Sequence, residues 1–71
     1  MPSGTEKQAL EAIEEVGGEA TIGVIASKLR IETSYARLLC NSLGRADYID
    51  VLATGICRIT PKGKRTLEKP A

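Results

Sequence analysis

The chain contains no histidine, tryptophan or phenylalanine, and Tyr35 and Tyr48 are its only aromatic residues. Without histidine, acid–base or nucleophilic catalysis built on an imidazole is excluded. With so few rings the core must be aliphatic, and no aromatic platform for stacking unpaired RNA bases is evident. Cysteine is scarce too: Cys40 and Cys57 stand 17 positions apart. With no histidine nearby they do not form a structural zinc site, and they lack the density of a disulfide scaffold, so they read as buried apolar fillers. No apolar stretch approaches the roughly 20 residues of a membrane span, and no hydrophobic run follows the N-terminus as a leader would. Gly63-Lys64 is not a phosphate-binding loop, because Arg58 occupies the required upstream glycine position and Arg65 the following Ser/Thr position. The expectation is a cytoplasmic, non-enzymatic chain with no catalytic residue, metal, cofactor or membrane partner.

What is present is a 71-residue chain, near the lower limit for a domain that holds itself together by its own core. We read residues 1–71 as a single domain. The net charge of +1 hides an asymmetry. Residues 1–19 set Glu6, Glu11, Glu14, Glu15 and Glu19 against Lys7 alone, a net of −4. The remainder sets nine cations against Glu32, Asp47, Asp50 and Glu68, a net of +5. One part of the surface can therefore be far more basic than the whole. The N-terminal glutamates serve solubility, and would face away from any polyanion.

Three helical patterns come first. Thr5 and Gln8 make a capping box, behind which Ala9, Leu10, Ile13 and Val16 share a face until Gly17-Gly18, predicting a helix over about 5–16. Thr21 can cap a second helix, about 22–29, whose Ile22, Ile25, Ala26 and Leu29 form one apolar stripe. After the short turn Arg30-Ile31-Glu32, a third helix over about 33–45 repeats the stripe with Ala36, Leu39, Cys40 and Leu43. The pattern then becomes extended: Tyr48 to Ala53 and Ile56 to Ile59 predict a hairpin over about 48–59, turned at Thr54-Gly55. Gly18-Glu19-Ala20 can supply a third, very short strand.

The last stretch combines opposing signals. Thr60 followed by Pro61 starts a helix over about 61–68, yet Lys62, Lys64 and Arg65 crowd its first turns, where the helix dipole disfavours cations. Such a start gains stability when a phosphate arrives. The plainer reading is a solvated basic tail.

Two short helices joined by a tight turn, followed by a hairpin, resemble the winged helix-turn-helix fold over about Ile22 to Glu68. Ile25-Ala26-Ser27-Lys28-Leu29 looks like the first helix of the turn motif, with Ile31 as the apolar residue of the turn. Leu39, Cys40 and Leu43 match the core of the family's recognition helix, and Tyr48-Ile49 the pair that opens its wing. Thr60-Pro61-Lys62-Gly63 resembles the ending of regulators of the multiple-antibiotic-resistance type. Two positions depart from the pattern: Arg30 and Asp47 stand where glycine is common. The resemblance implies a mainly helical α+β fold: three helices, a short β-hairpin wing and a short C-terminal helix.

Opposite the buried stripe, the third helix presents Ser34, Arg37, Leu38, Asn41 and Arg45. The resemblance places this face in the major groove of double-stranded DNA. Base-reading candidates are Thr33, Ser34, Tyr35, Arg37, Leu38 and Asn41. Arg37 suits a guanine edge, Asn41 an adenine edge, and Leu38 a thymine methyl. Phosphate-binding candidates are Lys28, Arg30, Arg45, Arg58, Lys62, Lys64 and Arg65. The implied function is a small DNA-binding module of a transcriptional regulator, paired with a second copy or a protein partner for specificity. The competing reading is a winged-helix adaptor that docks protein without touching DNA, for which the apolar Leu38 speaks. An ordinary solvated helix surface would also carry Ser, Arg and Asn.

Overall fold

The computed structural model describes residues 4–68. In chain order these form α1 (Gly4–Glu15), β1 (Glu19–Thr21), α2 (Ile22–Leu29), α3 (Thr33–Arg45), β2 (Ile49–Val51), β3 (Ile56–Ile59) and α4 (Pro61–Leu67). The strands make one antiparallel sheet in the order β1-β3-β2, with Ala20 opposite Cys57 and Ile49 opposite Ile59. The fold is mainly helical α+β, with the hairpin as its wing and the short α4 as its close.

The core is aliphatic, as a chain with two rings requires. Leu10 and Ile13 of α1, Ile25 of α2, Cys40 and Leu43 of α3, Ile49 of β2 and Cys57 of β3 are all fully buried. Each apolar stripe therefore meets the others at one centre, and the hairpin is stabilised by lying on the helices. The two cysteines are free thiols in this core. The hydrogen bond they share, together with burial, pushes Cys40 far above the ordinary thiol range, and the same bond lowers Cys57.

The first three helices end with the same device. Gly18, Ile31 and Tyr48 donate their N–H groups to the carbonyls of Ile13, Ala26 and Leu43, five residues back in each case. This Schellman closure needs a left-handed residue just before the donor. Gly17, Arg30 and Asp47 fill that position, with φ of 100°, 56° and 65°. Arg30 and Asp47, which depart from the family's glycines in sequence, thus keep the glycine-like backbone.

Two sequence expectations shift. The first helix already includes Gly4, so Thr5 lies within its first turn and is not the cap. The strand expected from Tyr48 to Ala53 is only Ile49–Val51, because the Schellman turn consumes Tyr48 and the hairpin turn consumes Leu52 and Ala53. Leu52 and Ile56 close that turn through the Leu52 N–H to the Ile56 carbonyl at 2.8 Å.

Candidate nucleic-acid interface

The outward side of α3 follows from its stripe. Ala36, Leu39, Cys40 and Leu43 are buried; at about 100° per residue, Asn41 and Leu38 then straddle the direction opposite, each about 30° from it. Ser34 lies between them, and Arg37 and Tyr35 mark the two edges. Thr33, Ser34, Tyr35, Arg37, Leu38, Asn41 and Arg45 are all exposed. The face is divided lengthwise, with Arg37 and Asn41 on one side and Leu38 and Tyr35 on the other. β2 runs along the Arg37–Asn41 side, where Val51 Cγ2 approaches Gly44 and a shallow cleft is lined by Asn41, Arg45 and Asp50. On the other flank, Ser42 donates to Glu6 of α1 at 2.6 Å.

The helix starts differ in a way that bears on anions. α2 is capped by Thr21, whose hydroxyl oxygen accepts the Val24 N–H at 3.2 Å. α4 is capped by Thr60, which accepts the Gly63 N–H at 3.1 Å. At the start of α3 the cap position holds Glu32, which makes no side-chain cap bond.

The sequence-predicted phosphate ligands fall into three groups. Lys28 and Arg30 close α2 just ahead of α3, where Lys28 is paired with Glu15 at 3.1 Å and Arg30 is exposed. Arg58, in mid-strand on β3, is bound by Glu19 at 2.8 Å and stands opposite Asp50 on its other side. Its positive charge is thus paired with Glu19, while Asp50 is its cross-strand neighbour on β2. The turn from Leu52 to Gly55 at the tip of the wing carries no cation.

The third group, on α4, lies at the C-terminal end of α3. There the chain takes up three successive carbonyls. Lys62 Nζ donates to Ala46 at 2.8 Å, Thr60 Oγ1 to Asp47 at 2.6 Å, and the Thr60 N–H to Tyr48 at 3.1 Å. Lys62 also sits 4.8 Å from the centroid of the Tyr48 ring. This explains a lysine at the positive end of α4: the same ammonium meets the negative end of α3. Gly63 packs on the Tyr48 carbonyl with no room for a side chain. The Thr60-Pro61-Lys62-Gly63 segment is therefore a clasp holding α4 on the turn after α3. Thirteen residues of helix separate this clasp from Thr33, about 20 Å at 1.5 Å per residue. Sequence reasoning found the segment but not its carbonyl partners, which lie 13 and 16 positions earlier.

One further surface escaped the sequence reading. Val16, Val24, Ala20 and Ile56 line a shallow apolar groove along the outer edge of β1. Among the described residues, no helix is long and apolar enough to cross a membrane.

Three helices about a shared core, the last of them uncovered beside a two-stranded wing, define a winged helix-turn-helix of the kind seen in MarR-family regulators. No protein-family model matches the chain, and no curated protein matches it. Among solved structures it is similar to a candidate transcriptional regulator of Pseudomonas aeruginosa PA01, with a TM-score of 0.82, 27% identity, and coverage of 89% of this chain and 45% of that one. It is also similar to a MarR family protein from Bacillus stearothermophilus, with a TM-score of 0.82, 20% identity, and coverage of 92% and 48%. The chain spans less than half the length of either structure.

Proposed function

We propose that this chain is the DNA-binding module of a transcriptional regulator, laying α3 in the major groove of a duplex. The observation that carries the reading is the uncovered outer face of α3, where Ser34, Arg37 and Asn41 stand exposed on one helix side. Arg37 is the guanine reader and Asn41 the adenine reader, each suited to a bidentate contact. Thr33, Ser34 and Tyr35, at the helix start without a side-chain cap, meet bases or the adjoining phosphates. Arg30 and Arg45, exposed near the two ends of α3 and in no ion pair among the described residues, provide the principal backbone clamps. Lys28 and Arg58 contribute as far as DNA phosphate replaces their carboxylate partners. Lys62 is engaged by the clasp, so Lys64 and Arg65 are the α4 residues left to meet backbone. Because one such module covers little DNA, a second copy or a protein partner supplies the remaining specificity. The two similar structures, a candidate transcriptional regulator and a MarR family protein, agree with this reading.

The test is an NMR titration of the chain with duplex DNA at low salt. Amide shifts concentrated on Ser34, Arg37 and Asn41, weakening steeply as salt rises, support it. Arg37→Ala should then reduce sequence preference, while Arg45→Ala should weaken all sequences alike. A spectrum unchanged by random and genomic duplexes would transfer the case to the second reading, a protein-docking adaptor. The observations favouring that second reading are the 65% exposure of Leu38 and the absence of a cation at the wing tip.

A further inference from the structure

We infer that the duplex read by α3 presents thymine C5-methyl groups to the Leu38–Tyr35 half of the face, so that recognition depends on those methyls as well as on hydrogen bonds. This rests on the major-groove reading above and adds to it the chemistry of the bases on one side of the helix.

Leu38 is the most exposed large hydrophobic residue among those described, at 65%, and Tyr35, one turn before it, is 44% exposed. Neither has a place in the core, whose α3 members are Ala36, Leu39, Cys40 and Leu43. Leu38 is not on a margin of the helix either, since it stands about 30° from the outward direction, the mirror of Asn41. Any duplex that receives Asn41 in its groove must therefore also receive Leu38. In the major groove the thymine methyl is the largest apolar group that a base edge offers. An isobutyl group against a base-edge acceptor or amino group would instead leave that polar group without water or partner, which is unfavourable. The polar half of the face, Arg37 and Asn41, lies toward β2 and its cleft. The apolar half lies toward the flank where Ser42 is tied to Glu6. The two halves thus meet different base pairs or different strands, and the apolar half selects A·T pairs by their methyls.

The experiment begins with duplexes selected by the chain from a random pool, then resynthesised with deoxyuridine in place of thymidine. Deoxyuridine retains every hydrogen-bonding group and lacks only the methyl. Burial of one such group is worth about fourfold in affinity, so the wild-type chain should lose about three- to tenfold on the uracil duplexes. Leu38→Ala, an exposed position whose folding is checked by its thermal melt, should show a clearly smaller uracil penalty, with Tyr35 accounting for any remainder. Arg37→Ala should bind more weakly yet keep the uracil penalty. Equal binding of the wild-type chain to both duplexes would overturn the inference while leaving the DNA reading intact, as would an undiminished penalty in Leu38→Ala. Failure to select any duplex at low salt would remove the DNA reading itself, and this inference with it.

Discussion

A Cβ added to Gly63 would collide with the Tyr48 carbonyl oxygen and lie 2.8 Å from Ile59 Cγ1. Helix propensity alone favours alanine over glycine by up to about 1 kcal/mol in a helix interior. Here the close approach reverses the sign. Gly63→Ala is expected to destabilise by about 1–3 kcal/mol, the usual range for overpacking, as read by urea denaturation. Arg30 presents the opposite case. Its φ of 56° costs an L-residue about 1–2 kcal/mol, which glycine would relieve at an entropic cost of about 0.5–1 kcal/mol. Arg30→Gly should therefore raise the melting temperature slightly while weakening DNA binding, separating the residue's structural strain from its charge. Asp47 shares the conformation, but its short polar side chain tolerates it better. Both departures from the family pattern are visible in sequence, whereas the backbone geometry that makes them tolerable appears only in the fold.

Two threonines at helix starts look equivalent in sequence and are not equivalent in the structure. Thr21 makes a local cap for α2, three residues from its donor. Thr60 caps α4 and also donates its hydroxyl proton to the Asp47 carbonyl, joining α4 to the turn after α3. Thr21→Ala should cost about 1 kcal/mol, the ordinary worth of a cap. Thr60→Ala loses a cap and a tertiary hydrogen bond, and should cost about 2 kcal/mol. Chemical denaturation of the two variants side by side checks the ranking; equal costs would show that the hydroxyl bond from Thr60 to the Asp47 carbonyl adds nothing. The start of α2 was legible because the cap and its apolar stripe are local. The clasp was not, because the turn that accepts it is 13 positions away.

Across the whole molecule, the cations expected to act together are dispersed by folding. Lys28 and Arg58 are held by Glu15 and Glu19, and Lys62 by a carbonyl at the far end of α3. Glu32 and Asp50 lie near the ends of the reading face and lower its positive potential further. Fewer phosphates should then be contacted than the total of basic residues suggests, and the salt dependence of binding should be correspondingly shallower. Glu19→Gln releases Arg58 from its closest acid. It should tighten DNA binding and steepen the logarithmic salt slope by up to about one unit, measured by fluorescence anisotropy across salt concentrations. An unchanged slope would mean that Arg58 does not reach phosphate. The exposed pair itself should matter little to stability, since such pairs contribute about 0–1 kcal/mol.

Periodicity, caps and turn residues act within a few positions, so the sequence by itself determined that three helices precede a hairpin and a short last helix. It also determined the buried stripe of α3, and with it the side on which Arg37, Leu38 and Asn41 emerge, because that side follows from 3.6 residues per turn. Only the tertiary structure decided which charges remain available. Glu19 and Arg58 are 39 positions apart, and nothing local foretells that the sheet order β1-β3-β2 brings them together. The same is true of Lys62, whose partner is a backbone carbonyl, a group present at every residue and therefore without a sequence signal. Long-range pairing depends on how the elements pack, and packing is settled by the shape of the core as a whole.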